Sequence, residues 1–352
     1  MDAAQPRILG AAVWGAGWVA GEHLRAFMRN PHTEVVAVGS RTLDGTRRKM
    51  AEVGLAPDAC TPYDDLDALL GDGRVQVVSI CTPNYLHAEN AIRAARAGKH
   101  LVIEKPPAIT LESLRAMRDA VREAQVRTIV SFVLRWNPLV RTIKALCDDG
   151  ALGEIVFARA DYWHRIRPEE WAGYRWARTR AGGGSIMLAG GSHAVDALRY
   201  LIGSEVVSVS ARHGPVRPRS GYEWPGTTVA LLEFANGALA EASACVDAHI
   251  PYVFNLDLLG DRGTMRGNRL YTERLPGQTG WAEIPTVLPD SGDVTHHPFQ
   301  EEIDHFVACI LAGREASPNL DDAVRTTAVC LAADMAAEDR LTVTLPLPGL
   351  ED

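Results

Sequence analysis

The sequence predicts a two-domain α/β protein: a doubly wound parallel sheet, then an α/β domain with an open, mainly antiparallel sheet. Two observations predict it. Over residues 1–130, short apolar runs alternate with amphipathic stretches at helical spacing, the pattern of repeated β-α-β units. From Glu154 onward the runs lengthen and alternate apolar with polar residues, as antiparallel strands with one covered face do. The 352 residues leave room for two domains at roughly 150 residues each. The division is expected at 1–130 and 131–352, with the last helices packing back on the first domain.

Composition narrows the function. Hydrophobic residues make up 47% and charged ones 23%, enough apolar mass for a real core and too little charge for disorder. A formal charge of −8 argues against a nucleic-acid or anionic-membrane surface. No run approaches the roughly 18 apolar residues that span a bilayer. The apolar stretch from Ile8 to Ala20 is interrupted by glycines and lacks a strongly basic lead, so a cytoplasmic address is expected. Cys60, Cys81, Cys147, Cys245, Cys309 and Cys330 form no C-x-x-C pair, which suits free thiols in a reducing compartment. His296-His297 has no cysteine or paired carboxylate beside it and reads as a loop or helix-start feature. No metal is expected.

In chain order, Ile8 to Trp14 reads as a first strand running into Gly15-Ala16-Gly17-Trp18-Val19-Ala20 and then a helix. This is the G-x-G-x-x-G/A arrangement of a Rossmann dinucleotide site. Gly15 makes the tight turn, Gly17 admits a pyrophosphate, Ala20 packs the helix on the strand, and the helix start offers free N–H groups. Trp18 and Val19 open that helix. Glu34 to Gly39 is a second strand ending in Ser40-Arg41-Thr42, without the acidic residue that holds a ribose 2′-OH. Arg41 then either meets a 2′-phosphate bidentately, helped by Arg47 or Arg48, or stacks on the adenine. The reading favours NADP(H), with NAD(H) possible.

Tyr63 to Leu70 reads as a short helix and Val75 to Thr82 as a strand, broken by Pro83-Asn84 before a helix from Tyr85 to Ala97. Thr82, Pro83, Asn84 and His87 thus join Gly15 at one sheet edge as cofactor-site candidates. His100 to Ile103 is a buried strand that delivers Glu104-Lys105-Pro106-Pro107 to the same edge, where ligands of open parallel sheets gather. A lysine there exchanges a proton with a reacting oxygen if its surroundings lower its pKa; otherwise the pair is a surface Glu-Lys after a strand. Leu111 to Ala124 reads as a helix and Val126 to Leu134 as a strand. An amphipathic stretch from Pro138 to Cys147 follows.

The second domain is expected to hold strands at Glu154–His164, Glu205–His213, Thr227–Phe234, Ala238–Val246 and Tyr252–Leu259, with Asn236-Gly237 as a hairpin turn. Phe299 to Leu311 and Leu320 to Ala336 read as helices, and Leu341 to Leu345 as a last strand. His193 starts a helix with Asp196 and Tyr200 on its side. Trp163 and the segment from Arg165 through Pro168, Glu169 and Trp171 to Arg175 and Trp176 combine aromatics with arginines. Either they cover a sugar and bond its hydroxyls, or they pack on the sheet. Arg135-Trp136-Asn137-Pro138 is a weaker candidate of the same kind.

The chain resembles the Gfo/Idh/MocA oxidoreductase family. The resemblance rests on Gly15 to Ala20 with its helix, Cys81-Thr82-Pro83-Asn84 followed by His87, and Gly98-Lys99-His100 leading to Glu104-Lys105-Pro106. It continues through Gly182-Gly183-Gly184, Gly191-Ser192-His193-Ala194-Val195-Asp196, and Phe299 to Phe306. It implies a Rossmann domain, a C-terminal sheet domain with the substrate pocket, and hydride transfer to or from NAD(P). Lys105 becomes the acid/base group, His193 its helper, Glu104 a brace or cofactor contact, and Arg175 a neighbour of the nicotinamide half. The substrate contacts would be Lys105, Trp163, Arg165, Arg175 and His193. A homodimer or homotetramer through the open face of the second sheet is implied as well.

One departure stands out. Many family dehydrogenases carry an aspartate four residues before this histidine, and here the position holds Ala189, in a segment, Ser185 to Gly190, that is one residue longer than the family pattern when the glycines are aligned. The leading expectation is a dehydrogenase or reductase for a secondary hydroxyl of a sugar, sugar acid, glycoside or cyclitol. The alternatives are a relative that cleaves glycosides with tightly held NAD, and a dinucleotide-sensing regulator without catalysis. The intact Lys105 argues against the last.

Overall fold

A computed structural model describes residues 8–166, 173–290 and 297–351. The sequence analysis placed Arg167, Pro168, Glu169, Trp171 and His296 among its features; these lie outside the described residues. The elements begin with β1 (Leu9–Trp14), α1 (Trp18–Arg29), β2 (Thr33–Gly39), α2 (Leu43–Glu52), β3 (Thr61–Tyr63) and α3 (Leu66–Gly71). They continue with β4 (Val77–Ile80), α4 (Asn84–Arg96), β5 (His100–Ile103), α5 (Leu111–Ala124), β6 (Thr128–Val130) and α6 (Pro138–Asp148). Next are β7 (Ile155–Trp163), α7 (Tyr174–Ala177), α8 (Arg180–Gly183), α9 (Ser192–Ile202), β8 (Val206–His213), β9 (Thr227–Phe234) and β10 (Leu239–Cys245). The chain closes with β11 (Val253–Gly260), β12 (Gly263–Arg266), β13 (Arg269–Thr272), β14 (Ala282–Glu283), α10 (Phe299–Leu311), α11 (Leu320–Asp339) and β15 (Thr342–Thr344). Two compact units result: residues 1–131 with 299–324, and residues 132–298 with 325–352.

The first unit holds a six-stranded parallel sheet in the order β3-β2-β1-β4-β5-β6. The chain moves outward from β1 to β3, then returns to the other side of β1 at β4. That reversal opens a crevice at the strands' carboxyl ends, where Gly15, Thr82 and Lys105 follow their strands. Val77, Val78, Ile80, Leu101, Val102 and Ile103 are all fully buried, as strands covered on both faces require. α10 packs beside α1 in this unit, where Asn30 Nδ2 donates to Asp304 Oδ1 at 2.6 Å.

Two local expectations change. Thr61–Tyr63 is a strand, and the helix after it starts only at Leu66, because Asp65 caps it by accepting from Ala68 N at 2.8 Å. The run from Val126 to Leu134 gives three residues of strand. Val130 N already donates to Pro318 O at 3.0 Å, so the edge ladder ends there, and Val133–Trp136 coils into a 3₁₀ turn.

The second unit holds nine strands in the order β14-β13-β12-β11-β7-β10-β9-β8-β15. β10 and β7 are parallel and every other pair is antiparallel. The Asn236-Gly237 turn joins β9 to β10 with Gly237 at φ 87°, a conformation glycine adopts without strain. β12, β13 and β14 are short and turn-dense, and the sequence reading did not include them. α9 packs on β7, over buried Ala158, Ala160 and Tyr162.

Candidate active site

The crevice of the first unit is shaped by its glycines. Gly15 sits at φ +137° and a Cβ there would come 2.2 Å from Cys81 O, so only glycine lets the chain turn this close to β4. Gly17 is different. A Cβ on it meets nothing within 4 Å, so the surface above it is open. Gly17 is also the N-cap of α1 and supplies no side-chain hydrogen bond, which leaves the first N–H groups of the helix to a ligand. Trp18 is 44% exposed and edge-on to Phe299, Val19 is partly exposed, and Ala20 is fully buried. A pyrophosphate fits this cradle.

At the end of β2, Ser40 Oγ bonds Thr46 Oγ1 at 2.9 Å and donates to Thr42 O at 3.1 Å, which ties the strand end to α2. Arg41 is exposed and forms no hydrogen bond or ion pair with a described residue. It is available to a ligand.

At the end of β4, Thr82 accepts from Asn90 Nδ2 on its Oγ1 at 3.1 Å. Pro83 is the N-cap of α4 and Asn84 its buried first residue. His87, assigned to the cofactor on sequence grounds, has other partners. Its Nδ1 lies 2.8 Å from Pro106 O and its Nε2 2.7 Å from Thr82 O. Two carbonyls face one buried ring, and a neutral imidazole donates to only one of them. Burial lowers the His87 pKa, against the two carbonyl contacts. His87 therefore packs between the two loops and, when neutral, bonds one of the two carbonyls through its single N–H.

The Lys105–Pro106 peptide is cis. Glu104 is buried, and its Oε1 lies 2.9 Å from His23 Nε2, while His23 Nδ1 lies 2.7 Å from Ser79 Oγ. Glu104 Oε2 also accepts from the Lys105 backbone N at 3.2 Å. Burial alone would raise this carboxyl; the His23 hydrogen bond and charge, with Lys105 and His87, bring it below its usual range. The Lys105 amine is shifted down by burial, with the Glu104 charge opposing. A lysine whose charged form burial disfavours gives up its proton more readily, which is the change an acid/base group needs.

In the second unit His193 is buried in the first turn of α9. The turn before it, Met187–Gly191, is a π-helix that contains Ala189. A π-turn holds one residue more than an α-turn, so the long segment noted in the sequence is absorbed there. Tyr162 lies nearly parallel to the His193 ring, centroids 5.8 Å apart at 21°. Phe132 and His297 approach its edges at 6.2 and 5.9 Å. One turn on, Asp196 takes a bidentate pair from Arg135, at 2.8 and 2.6 Å, with Arg135 over the Tyr200 ring. This buried pair ties α9 to the 3₁₀ turn Val133–Trp136.

Trp163, a substrate-site candidate on sequence grounds, is the last residue of β7. Neighbouring strand residues point to opposite faces. Tyr162 faces His193, so Trp163 faces the other way, where its Nε1 donates to Ser243 Oγ at 2.8 Å and Arg159 lies over its ring. The aromatic on the α9 side is Tyr162, which the sequence reading did not name; alternation alone does not say which face α9 covers. Arg165 contacts His249, and Arg175 lies exposed on α7. Among the described residues no group of three or more His, Cys, Asp or Glu is placed to hold a metal ion. No described helix is long and apolar enough to cross a membrane.

A switch point with an uncapped glycine-rich helix start, and a lysine of lowered pKa two strands away, defines a dinucleotide-dependent oxidoreductase. Comparison narrows the class. The chain belongs to the Gfo/Idh/MocA family: residues 9–132 match its oxidoreductase, NAD-binding Rossmann fold, and residues 140–266 match its C-terminal domain. Levoglucosan dehydrogenase of Pseudarthrobacter phenanthrenivorans is 35% identical over 208 residues, 53% of either chain, so the alignment spans about half its length. The scyllo-inositol 2-dehydrogenase (NAD(+)) of Bacillus subtilis is 25% identical over 338 residues, 95% of each. A levoglucosan dehydrogenase in complex with NADH shares the fold at a TM-score of 0.86 and 24% identity, covering 97% of this chain and 100% of that one.

Proposed function

We propose that the protein is a dehydrogenase or reductase for a secondary hydroxyl of a sugar, sugar acid, glycoside or cyclitol, with Lys105 as acid/base group and His193 as its helper. The observation that carries it is Lys105 just past the end of β5, its backbone N bonded to the Glu104 carboxylate that His23 holds and its amine shifted down by burial. The relatives' activities on levoglucosan and inositol support the substrate class. Bound NAD(P) supplies the hydride acceptor or donor. The chain's own part is to hold the pyrophosphate on the start of α1 and to take the hydroxyl proton on Lys105 Nζ.

Exposed Arg41 favours NADP(H). Six free cysteines support a reducing, cytoplasmic setting. Val156, Leu231, Leu239, Leu259, Tyr271 and Trp281 are exposed large apolar residues of the second unit's sheet region, which supports a homo-oligomer built on that sheet. A panel of sugars and polyols, each offered with NAD and with NADP, tests the function through absorbance at the reduced nicotinamide band. Absence of turnover across the panel overturns it.

A further inference from the structure

The first unit buries a second carboxyl beside Glu104. Glu302 lies in the first turn of α10 and is fully buried. Phe299, one turn earlier, shares its side of the helix, and the Phe299 ring stands 5.4 Å from that of His23. His23 in turn meets Glu104 at 2.9 Å. Ser131, whose N donates to Ile103 O at 2.9 Å, brings a buried hydroxyl to the same strand end. Burial first and the Glu104 charge second push the Glu302 carboxyl up. The two carboxyls differ in their partners. Glu104 accepts from His23 and from the Lys105 backbone N. Neither Glu302 oxygen has a hydrogen-bond partner among the described residues, and the Ser131 hydroxyl approaches without closing one. The other titratable group at this place is the buried Cys81 thiol, on which both carboxyls act; Lys49, which also acts on that thiol, is paired with Glu52. On α10 itself Glu301 is exposed, and Asp304 takes the Asn30 and Gln300 amides.

We propose that Glu302 is a positioning residue for the proton transfer at Lys105: kept as a neutral acid, it leaves the buried carboxyl pair a single negative charge, on Glu104, and so limits how tightly the lysine holds its proton. The inference rests on the reading of Lys105 as the acid/base group. Two neighbouring carboxyls in a buried place do not both ionise readily. Glu104, with N–H donors on both oxygens, takes the charge, and Glu302, without them, keeps the proton. The Glu104 carboxylate and the Lys105 ammonium then balance. A second carboxylate would leave excess negative charge at this point and favour the ammonium form. Groups joined in this way titrate as a set.

The test follows kcat/KM for alcohol oxidation against pH, with the full-length protein and the best substrate of the sugar and polyol panel. Wild type is compared with Glu302→Gln, which keeps the shape and stays neutral. The rising limb reports loss of the Lys105 proton. In the wild type Glu302 ionises as pH rises and holds that proton back. Its limb should therefore be shallower and lie roughly one pH unit above that of Glu302→Gln, the scale of one nearby charge. A side chain that only fills space leaves the limbs coincident, and that result overturns the proposal. Infrared spectra give a second readout. The wild type should show the carbonyl band of a protonated carboxylic acid at neutral pH, missing from Glu302→Gln and fading over the pH span of the limb. Glu302→Asp, which shifts the band, assigns it if Glu302→Gln does not fold. A wild type without the band at neutral pH, or with a band unchanged across the limb, also overturns the proposal. Each of these failures leaves the dehydrogenase reading standing. No turnover of any polyol removes that reading and the role of Glu302 with it.

Discussion

His23 Nε2 lies 2.9 Å from Glu104 Oε1, so a histidine of α1 grips the carboxylate next to the candidate acid/base lysine. Helix α1 also starts uncapped at Gly17, where the proposed reading seats the pyrophosphate. One helix therefore serves both halves of the first unit's chemistry. The Glu104 charge raises the Lys105 pKa against the lowering by burial. Glu104→Gln removes that charge, so Lys105 should release its proton at lower pH. The rising limb of kcat/KM for alcohol oxidation should then move to lower pH, as a pH profile of both proteins would show. A limb that stays in place, or moves up, removes Glu104 from control of Lys105. The stability contribution has its own sign. The folded Glu104 pKa is lowered, so its stabilisation is complete above the unfolded value of about 4.3 and is lost as pH falls through the folded value.

Glu302 of α10 behaves in the opposite way. It is fully buried, and burial first and Glu104 second raise its carboxyl well above the ordinary range, with the Ser131 hydroxyl opposing. The folded state therefore holds a proton that the unfolded chain gives up above about pH 4.3. Stability is full below that pH and declines as pH rises toward the folded pKa. Glu302→Gln keeps the shape without the titration. It should match the wild type in melting temperature near pH 4 and exceed it near pH 8. Parallel curves across that range would show that Glu302 does not titrate between the states.

The first unit was largely legible in the sequence because period and punctuation coincide there. Gly15 and Gly17 follow a strand and open a helix, and Pro106 ends β5 where the ladder ends. Short edge strands such as β3 and β14 were not legible, since two or three residues carry no period. In the second unit the alternation of β7 was visible while its covered face was not, so Tyr162, the ring beside His193, went unnamed. His296-His297 read as a loop or helix-start feature for want of a cysteine or paired carboxylate beside it, and His297 does stand just before α10; its ring neighbours Tyr252 and His193 lie too far off in sequence to be foreseen. The extra residue near Ala189 was visible as a length, and its resolution into a π-turn needed the backbone.

Arg41 should govern cofactor choice. It is exposed, without a described partner, at the strand end where a ribose is read. NADP(H) should bind more tightly than NAD(H), and Arg41→Ala should remove most of the difference. A lost charged hydrogen bond is worth about 1.5–3 kcal/mol, roughly ten- to a hundredfold in affinity. Calorimetry that finds equal affinities in the wild type rejects this role.

Lys105→Ala should leave dinucleotide affinity nearly intact, because Gly15, Gly17 and the α1 start hold the pyrophosphate. Single-turnover hydride transfer should slow by roughly a hundred to ten thousandfold, the scale of a positioned acid/base. His193→Ala should cost less if it only orients the substrate. In the double variant, losses that fail to add would show that both side chains act on one step. A Lys105→Ala protein that reacts at the wild-type rate removes Lys105 from the mechanism.

The π-turn before His193 yields the last prediction. A Cβ on Gly190 would stand 2.5 Å from Tyr162 Cδ1 and 2.6 Å from Cε1, closer than carbon atoms tolerate. Tyr162 is the ring that lies against His193, so Gly190→Ala should push it out of the stack. Overpacking of this kind costs about 1–3 kcal/mol, and the melting temperature should drop accordingly. The same displacement loosens the His193 ring, so kcat/KM should fall while dinucleotide affinity, set by the start of α1, holds. Tyr162→Leu supplies the control. If the clash with Tyr162 is the cause, adding Gly190→Ala to Tyr162→Leu should cost less stability than adding it to the wild type, and a double-mutant cycle measures the difference. Additive losses would locate the damage elsewhere in the π-turn. A Gly190→Ala protein with unchanged melting temperature and kcat/KM would show that Tyr162 does not hold His193 in place.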